Sequence, residues 1–127
     1  MHILVVDDTP SVLESLTHIL QQQGHSCETA NNGLAALEKI QEETYDMFII
    51  DHLMPVMDGV QFCKNLSQSS THNDKPIIFM TTKDKNTLLT LSELSSVLHV
   101  LEKPISENTL INLLDMHFSE NTLLHSL

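Results

Sequence analysis

The sequence predicts an α/β protein built on one doubly wound, five-stranded parallel sheet. Three observations carry that expectation. Short apolar runs recur along the chain, stretches with helical spacing separate them, and four of the five runs are apolar at successive positions instead of alternate ones. A strand covered by helices on both faces reads as a continuous apolar segment, whereas a half-exposed strand alternates. At 127 residues, 41% of them apolar, the chain fits one domain with a core of its own.

The strands are expected at Ile3–Val6, Ser26–Ala30 (the weakest), Met47–Ile50, Ile77–Met80 and Val97–Leu101. After the first, Val12, Leu16, Ile19 and Leu20 fall on one face of a helix. Leu34, Leu37 and Ile40 mark a second helix, and Val60, Cys63 and Leu66 a third. Leu88, Leu91 and Leu94 mark a fourth, and Leu110, Leu113, Leu114 and His117 a fifth. Thr9 followed by Pro10 predicts an N-cap with proline at the first helical position, and Asp84 and Ser106 predict caps for the last two helices. Right-handed crossovers would wind these units into one sheet with helices on both faces.

Ser67–Lys75 reads as a polar loop. The division expected is a folded unit over 1–118 and a tail over 119–127, where Leu123, Leu124 and Leu127 leave a short extra helix, a frayed tail and a linker stub all open. Met1 opens directly onto the first strand, so any further domain is expected beyond Leu127.

Composition excludes several functions. No apolar run approaches the ~18 residues of a membrane span, and Ile3–Val6 is too short for a signal-peptide core, so a cytoplasmic address is expected. The formal charge is −11 and the six basic residues are all lysines. A field of that sign repels phosphates and argues against direct nucleic-acid binding. Cys27 and Cys63 lack zinc or redox spacing and read as buried, reduced thiols. Gly24, Gly33 and Gly59 are too scattered for a phosphate-cradling loop. His2, His18, His25, His72, His99, His117 and His125 show no HxxH or HExxH spacing; His2 and His25 fall at the amino-terminal edge of the sheet.

Open parallel sheets bind ligands beyond the carboxyl ends of their strands. Those ends carry Asp7 and Asp8, Asp51, Thr81 and Thr82, then Glu102, Lys103 and Pro104. Each alone is unspecific, since an aspartate after a strand is a common turn-former and Lys103 is an ordinary loop lysine. Jointly they gather three aspartates, whose mutual repulsion is on the order of 1 kcal/mol or more per pair. A hard divalent cation with oxygen ligands, together with Lys103, offsets it.

The segments LVVDD, FIIDHLMPVMDG, PIIFMTT and LEKP resemble the receiver domain of two-component response regulators, over roughly Met1 to His117. The stretch D-x-x-M-P-x-M-D-G, from Asp51 to Gly59, is the specific part. The resemblance implies a flavodoxin-like (βα)5 fold with strand order 2-1-3-4-5. It implies that Asp51 is the phosphoacceptor, that Asp8 binds Mg²⁺ directly and Asp7 through water, and that Leu53 adds its backbone carbonyl; Mn²⁺ can substitute. Thr81 is then the switch hydroxyl with Thr82 beside it, Lys103 contacts the phosphoryl oxygens, and the Lys103–Pro104 bond is cis. The phosphoryl donor would be a sensor histidine kinase or a histidine phosphotransfer protein. The output, to a downstream protein the sequence does not specify, would run through the face of the fourth helix, fifth strand and fifth helix. Surplus leucine in the fourth helix (Leu88, Leu89, Leu91, Leu94) leaves two readings of that face open, a partner or homodimer surface and ordinary scattered exposure. Such a chain catalyses only its own phosphorylation and dephosphorylation and is no turnover enzyme.

Four positions depart from the pattern. Val100 stands where many receivers carry the aromatic residue that moves with the switch. Thr82 is bulkier than the usual small residue, and Leu53 has no polar group to orient water; both point to a long-lived aspartyl phosphate. His52 reads as a solvent-facing strand-end residue, with a modulator of the site as the alternative. A phosphatase of the haloacid-dehalogenase type is disfavoured because Leu53 replaces the second aspartate of its D-x-D motif. A binding module without the chemistry is disfavoured because the acid pair, Asp51 and Lys103 are all present.

Overall fold

The computed structural model describes residues 1–94 and 97–126. Its sheet is parallel throughout, with strands β1 (His2–Val6), β2 (Ser26–Ala30), β3 (Met47–Asp51), β4 (Ile77–Thr81) and β5 (His99–Glu102). Their order is β2-β1-β3-β4-β5, so the winding reverses between β1 and β3 and opens a crevice at their carboxyl ends. Helices α1 (Pro10–Gln22), α2 (Gly33–Glu42), α3 (Gly59–Ser67), the single turn α4 (Lys85–Leu88) and α5 (Glu107–Ser126) complete the fold.

Alternation along each strand splits the core in two. Leu4, Val6, Phe48, Ile50, Ile77 and Phe79 face one side, where Ala36, Phe62, Leu66, Leu88 and Leu94 cover them. Ile3, Val5, Ile49, Ile78 and Met80 face the other, under Leu16, Ile19 and Leu20 of α1 and Leu110 and Leu114 of α5. Each buried Ile, Leu or Phe contributes roughly 1.5–3 kcal/mol, the same force that set the continuous apolar runs in the sequence.

The helix starts are secured by hydrogen bonds. Asn32 Oδ1 accepts from the Ala35 N–H at 2.8 Å, and Asp58 with Gln61 forms a reciprocal capping box. Ser106 Oγ accepts from the Thr109 N–H at 3.1 Å, and Asp84 Oδ1 from the Asn86 N–H at 3.0 Å, as the sequence predicts. Thr9 occupies the N-cap of α1 ahead of Pro10, but its side chain makes no cap bond. Its backbone N–H instead donates to Asp7 Oδ1 at 2.9 Å, a tight turn that fixes the buried acid.

Several expectations need correction. The fourth helix is not continuous: α4 ends at Leu88, and a separate 3-10 turn spans Ser92–Leu94. Asn86, Thr90 and Ser92 are poor helix formers, so the leucine spacing alone does not carry a long helix. Leu88 and Leu94 are buried, whereas Leu89 is 58% exposed and Leu91 37%. The fifth strand begins at His99, not Val97, because the Val97 N–H turns back to the Leu94 carbonyl at 3.1 Å. On α2 the buried stripe is Gly33 and Ala36, and Leu34 is exposed. Cys63 is buried but Cys27 only half-buried; both are free thiols. The α5 helix runs on to Ser126, through most of the segment read as a tail. Expectations on Leu127 and on the side chains of His117, Leu123 and Leu124 lie outside the described residues. Among those residues, no helix is long and apolar enough to cross a membrane.

Candidate functional site

The crevice holds an anionic pocket. Asp7 ends fully buried just past β1, Asp8 follows it exposed, and Asp51 closes β3 at 5% exposure. Their carboxylate oxygens lie within 4.8 Å of one another. Lys103, just past β5, reaches across the strand ends. Its Nζ donates to Asp7 Oδ2 at 2.9 Å and to Asp51 Oδ1 at 3.1 Å. The four groups that the sequence places at strand ends are therefore one cluster.

Electrostatics leave that cluster short of positive charge. Burial holds the Asp51 carboxyl above its ordinary pKa; the Lys103 hydrogen bond opposes this, and the charges of Asp7 and Asp8 reinforce it. Burial alone would depress the Lys103 ammonium, but its bonds to Asp7 and Asp51 outweigh that and keep it above the usual lysine value. One ammonium against three carboxylates leaves a deficit that a hard cation fits. The donors are all oxygen and one acid is exposed, the set that Mg²⁺ takes while retaining waters.

The loop after β3 is held to the site by close approach. The Gly59 N–H donates to the His52 carbonyl at 2.8 Å. A Cβ on Gly59 would strike the Asp51 carbonyl oxygen and stand 3.0 Å from the Phe79 ring, so only glycine fits. At the loop's apex Val56 lies at φ 71°, the left-handed region that a β-branched residue rarely adopts, with 77% of its surface exposed. The Lys103–Pro104 peptide is cis. Leu53 projects its side chain to solvent at 50% exposure, Thr82 is exposed on the groove beside Lys103, and Val100 is buried in the core with Phe79, Leu88 and Leu94.

Thr81 is wholly buried at the end of β4, and His52 is half-buried beside it where its place in the sequence suggests a solvent-facing residue. The His52 Nδ1 lies 3.0 Å from Thr81 Oγ1, and the ring rests on Phe79 with centroids 5.6 Å apart. Burial lowers the His52 pKa, with Asp58 opposing and Lys83 adding to the shift. The same Thr81 oxygen accepts the Lys83 N–H at 2.9 Å. No spacing rule exposes the His52–Thr81 pair, because its partners sit on neighbouring strands.

Two further groups escape the sequence. His72, in the segment read as a polar loop, is 1% exposed; its Nε2 accepts the Tyr45 N–H at 3.1 Å and its ring packs edge-on to Phe48. At the opposite edge of the sheet, His2 Nε2 lies 3.2 Å from Glu28 and 3.5 Å from Glu43, with Lys39 3.5 Å from Glu28 and the Tyr45 hydroxyl donating to Glu28 at 2.9 Å. That network is paired within itself. Near this edge, His25 Nδ1 lies 2.9 Å from the Met1 amino group.

The fold and pocket define a doubly wound α/β protein with a lysine-bridged acidic site at the topological switch point. Comparison with known proteins narrows this. Residues 3–115 match the response regulator receiver domain, and the chain belongs to that family. It is 32% identical over 109 residues to the protein PilH of Pseudomonas aeruginosa, covering 86% of this chain and 90% of PilH. It is 42% identical over 84 residues to the response regulator MprA of Mycobacterium leprae, covering 66% of this chain and 36% of MprA. The chain thus spans about a third of the length of that relative. Among solved structures it superposes on the chemotaxis response regulator CheY4 of Vibrio cholerae with a TM-score of 0.83 at 33% identity, covering 91% of this chain and 96% of that one. It also matches the response regulator TrrA of Thermotoga maritima, solved with Mg²⁺ and BeF, with a TM-score of 0.79 at 28% identity, covering 91% and 96%.

Proposed function

We propose that this chain is a phosphorylation-dependent switch of a two-component phosphorelay, accepting a phosphoryl group on Asp51 from a sensor histidine kinase or a histidine phosphotransfer protein. The observation that carries this is the placement of Asp51: buried at a strand end, 3.1 Å from Lys103, with two further carboxylates beside it. Asp7, Asp8, Asp51 and the Leu53 carbonyl would hold Mg²⁺, or Mn²⁺ in its place. Bound there, the ion supplies positive charge against the phosphoryl oxygens.

The chain's own residues do the rest. A carboxylate oxygen of Asp51 bonds to phosphorus as the bond to the donor's imidazole nitrogen breaks, and the electron pair leaves on that nitrogen. Lys103 offsets charge on the transferring oxygens. Water attack on phosphorus later releases phosphate and restores the carboxylate. The Thr81 hydroxyl turns to the new phosphoryl oxygens, and the region from Leu88 through β5 repacks around it. The exposed Leu89, Leu91, Leu98 and Met116 near that region support output, or self-association, through the α4-β5-α5 face. This reading makes residues 1–118 the switch unit, keeps it in the cytoplasm and gives it no turnover of other substrates.

The test is incubation with acetyl phosphate and Mg²⁺, read by intact mass. One phosphoryl adduct on the wild type, lost in Asp51→Asn and suppressed by EDTA, is expected. An unmodified wild type, or an equal adduct on the variant, would refute the reading.

A further inference from the structure

We infer that His52 is a latch on the switch, a positioning residue that holds the Thr81 hydroxyl away from the phosphoryl site until modification draws it off. The inference rests on the proposed function of Asp51 and adds a regulator to it.

Thr81 is 0% exposed, so its hydroxyl hydrogen needs an acceptor within the protein. Its oxygen already accepts the Lys83 N–H at 2.9 Å. The described partner left for the hydrogen is His52 Nδ1 at 3.0 Å. With Nδ1 as acceptor, the network assigns the proton of the neutral ring to Nε2. The ring rests on Phe79 with centroids 5.6 Å apart, and the backbone of His52 is tied on both sides: its N–H to the Met80 carbonyl and its carbonyl to the Gly59 N–H, each at 2.8 Å.

A hydroxyl has one hydrogen to give. A phosphoryl oxygen on Asp51 and the imidazole of His52 therefore compete for the same donor, and the switched state forms only by breaking the His52 bond. A neutral hydrogen bond of this kind biases a two-state equilibrium by roughly 2- to 10-fold. The latch thus raises the threshold for activation without touching the reacting atoms.

The experiment uses beryllofluoride with Mg²⁺ as the phosphoryl mimic, titrated by calorimetry against the full chain. Binding by the wild type, lost in Asp51→Asn, first establishes the site; failure here refutes the proposed function and the latch with it. His52→Leu should then bind the mimic about 3- to 10-fold more tightly than the wild type. His52→Asn, whose amide oxygen takes the place of Nδ1, should restore the wild-type affinity, and the gain should vanish when His52→Leu is made in a Thr81→Ala background. The rescue and the coupling are readouts that a purely structural role would not give. Unchanged or weaker binding by His52→Leu with intact binding by the wild type, or a gain that persists without the Thr81 hydroxyl, overturns the latch and leaves the phosphoacceptor reading standing.

Discussion

Lys103 Nζ lies 3.1 Å from Asp51 Oδ1, joining the ends of two strands that are not neighbours in the sheet. The strand between them, β4, ends in Thr81. The lysine relieves only part of the acidic load, and from that imbalance several consequences can be measured.

Asp51→Asn should stabilise the metal-free protein by about 1 kcal/mol, since it removes one buried charge of the crowded trio while Lys103 keeps Asp7. The sign follows from the raised Asp51 pKa: ionising it above pH 4 costs more in the fold than in the unfolded chain. Urea midpoints in EDTA would check this, and a less stable variant would contradict it.

Mg²⁺ should stabilise the wild type against heat, by about 1.4 kcal/mol at ten times its dissociation constant. Asp8→Ala, which removes the exposed acid of the trio, should need a higher Mg²⁺ concentration for the same rise in Tm. Equal titration curves would remove Asp8 from the site.

Gly59→Ala should destabilise the fold by about 1–3 kcal/mol, because the new methyl meets the Asp51 carbonyl. Val56→Asn should act oppositely and gain up to ~1 kcal/mol, asparagine tolerating the left-handed backbone that strains valine. Denaturant unfolding of both variants gives the two signs in one series.

Acid should weaken the fold through His72. Burial lowers its pKa, aided by Lys75 and opposed by Asp74, so the unfolded chain binds the proton more readily. The stability it contributes is complete above the ordinary value of 6.5 and is lost as the pH falls through the lower folded value. His72→Gln keeps an acceptor for the Tyr45 N–H without titrating, and should flatten the fall in Tm between pH 7 and pH 5. An unchanged slope would assign the acid sensitivity elsewhere.

The exposed, apolar Leu53 and the bulk of Thr82 predict a slow loss of phosphate once Asp51 is modified. Leu53→Gln, which offers a polar group to orient water, should shorten the lifetime several-fold in a pulse-chase with Mg²⁺. A wild-type half-life of seconds would contradict the slow-hydrolysis reading.

The sheet and the acidic cluster were legible because both follow from local patterns: uninterrupted apolar runs, and charged residues placed immediately after them. The α4 region was not, since leucines at helical spacing say nothing about whether Asn86 and Ser92 will sustain the ladder between them. The capping box of Asp58 with Gln61 follows from spacing alone, an acid three residues before a glutamine at a helix start. His52 and His72 were beyond reach. Each is a polar residue whose pairing depends on a neighbour brought close only by the fold, Thr81 for one and the Tyr45 backbone for the other.

The most direct measurement of the central claim is chemical trapping of the modified residue. The chain is treated with acetyl phosphate and Mg²⁺, reduced with borohydride and mapped by peptide mass spectrometry. An acyl phosphate on Asp51 is reduced to homoserine at position 51, and that conversion, absent when Mg²⁺ is withheld, is the predicted result. Reduction at another carboxylate, or none under conditions that phosphorylate the chain elsewhere, would contradict the account.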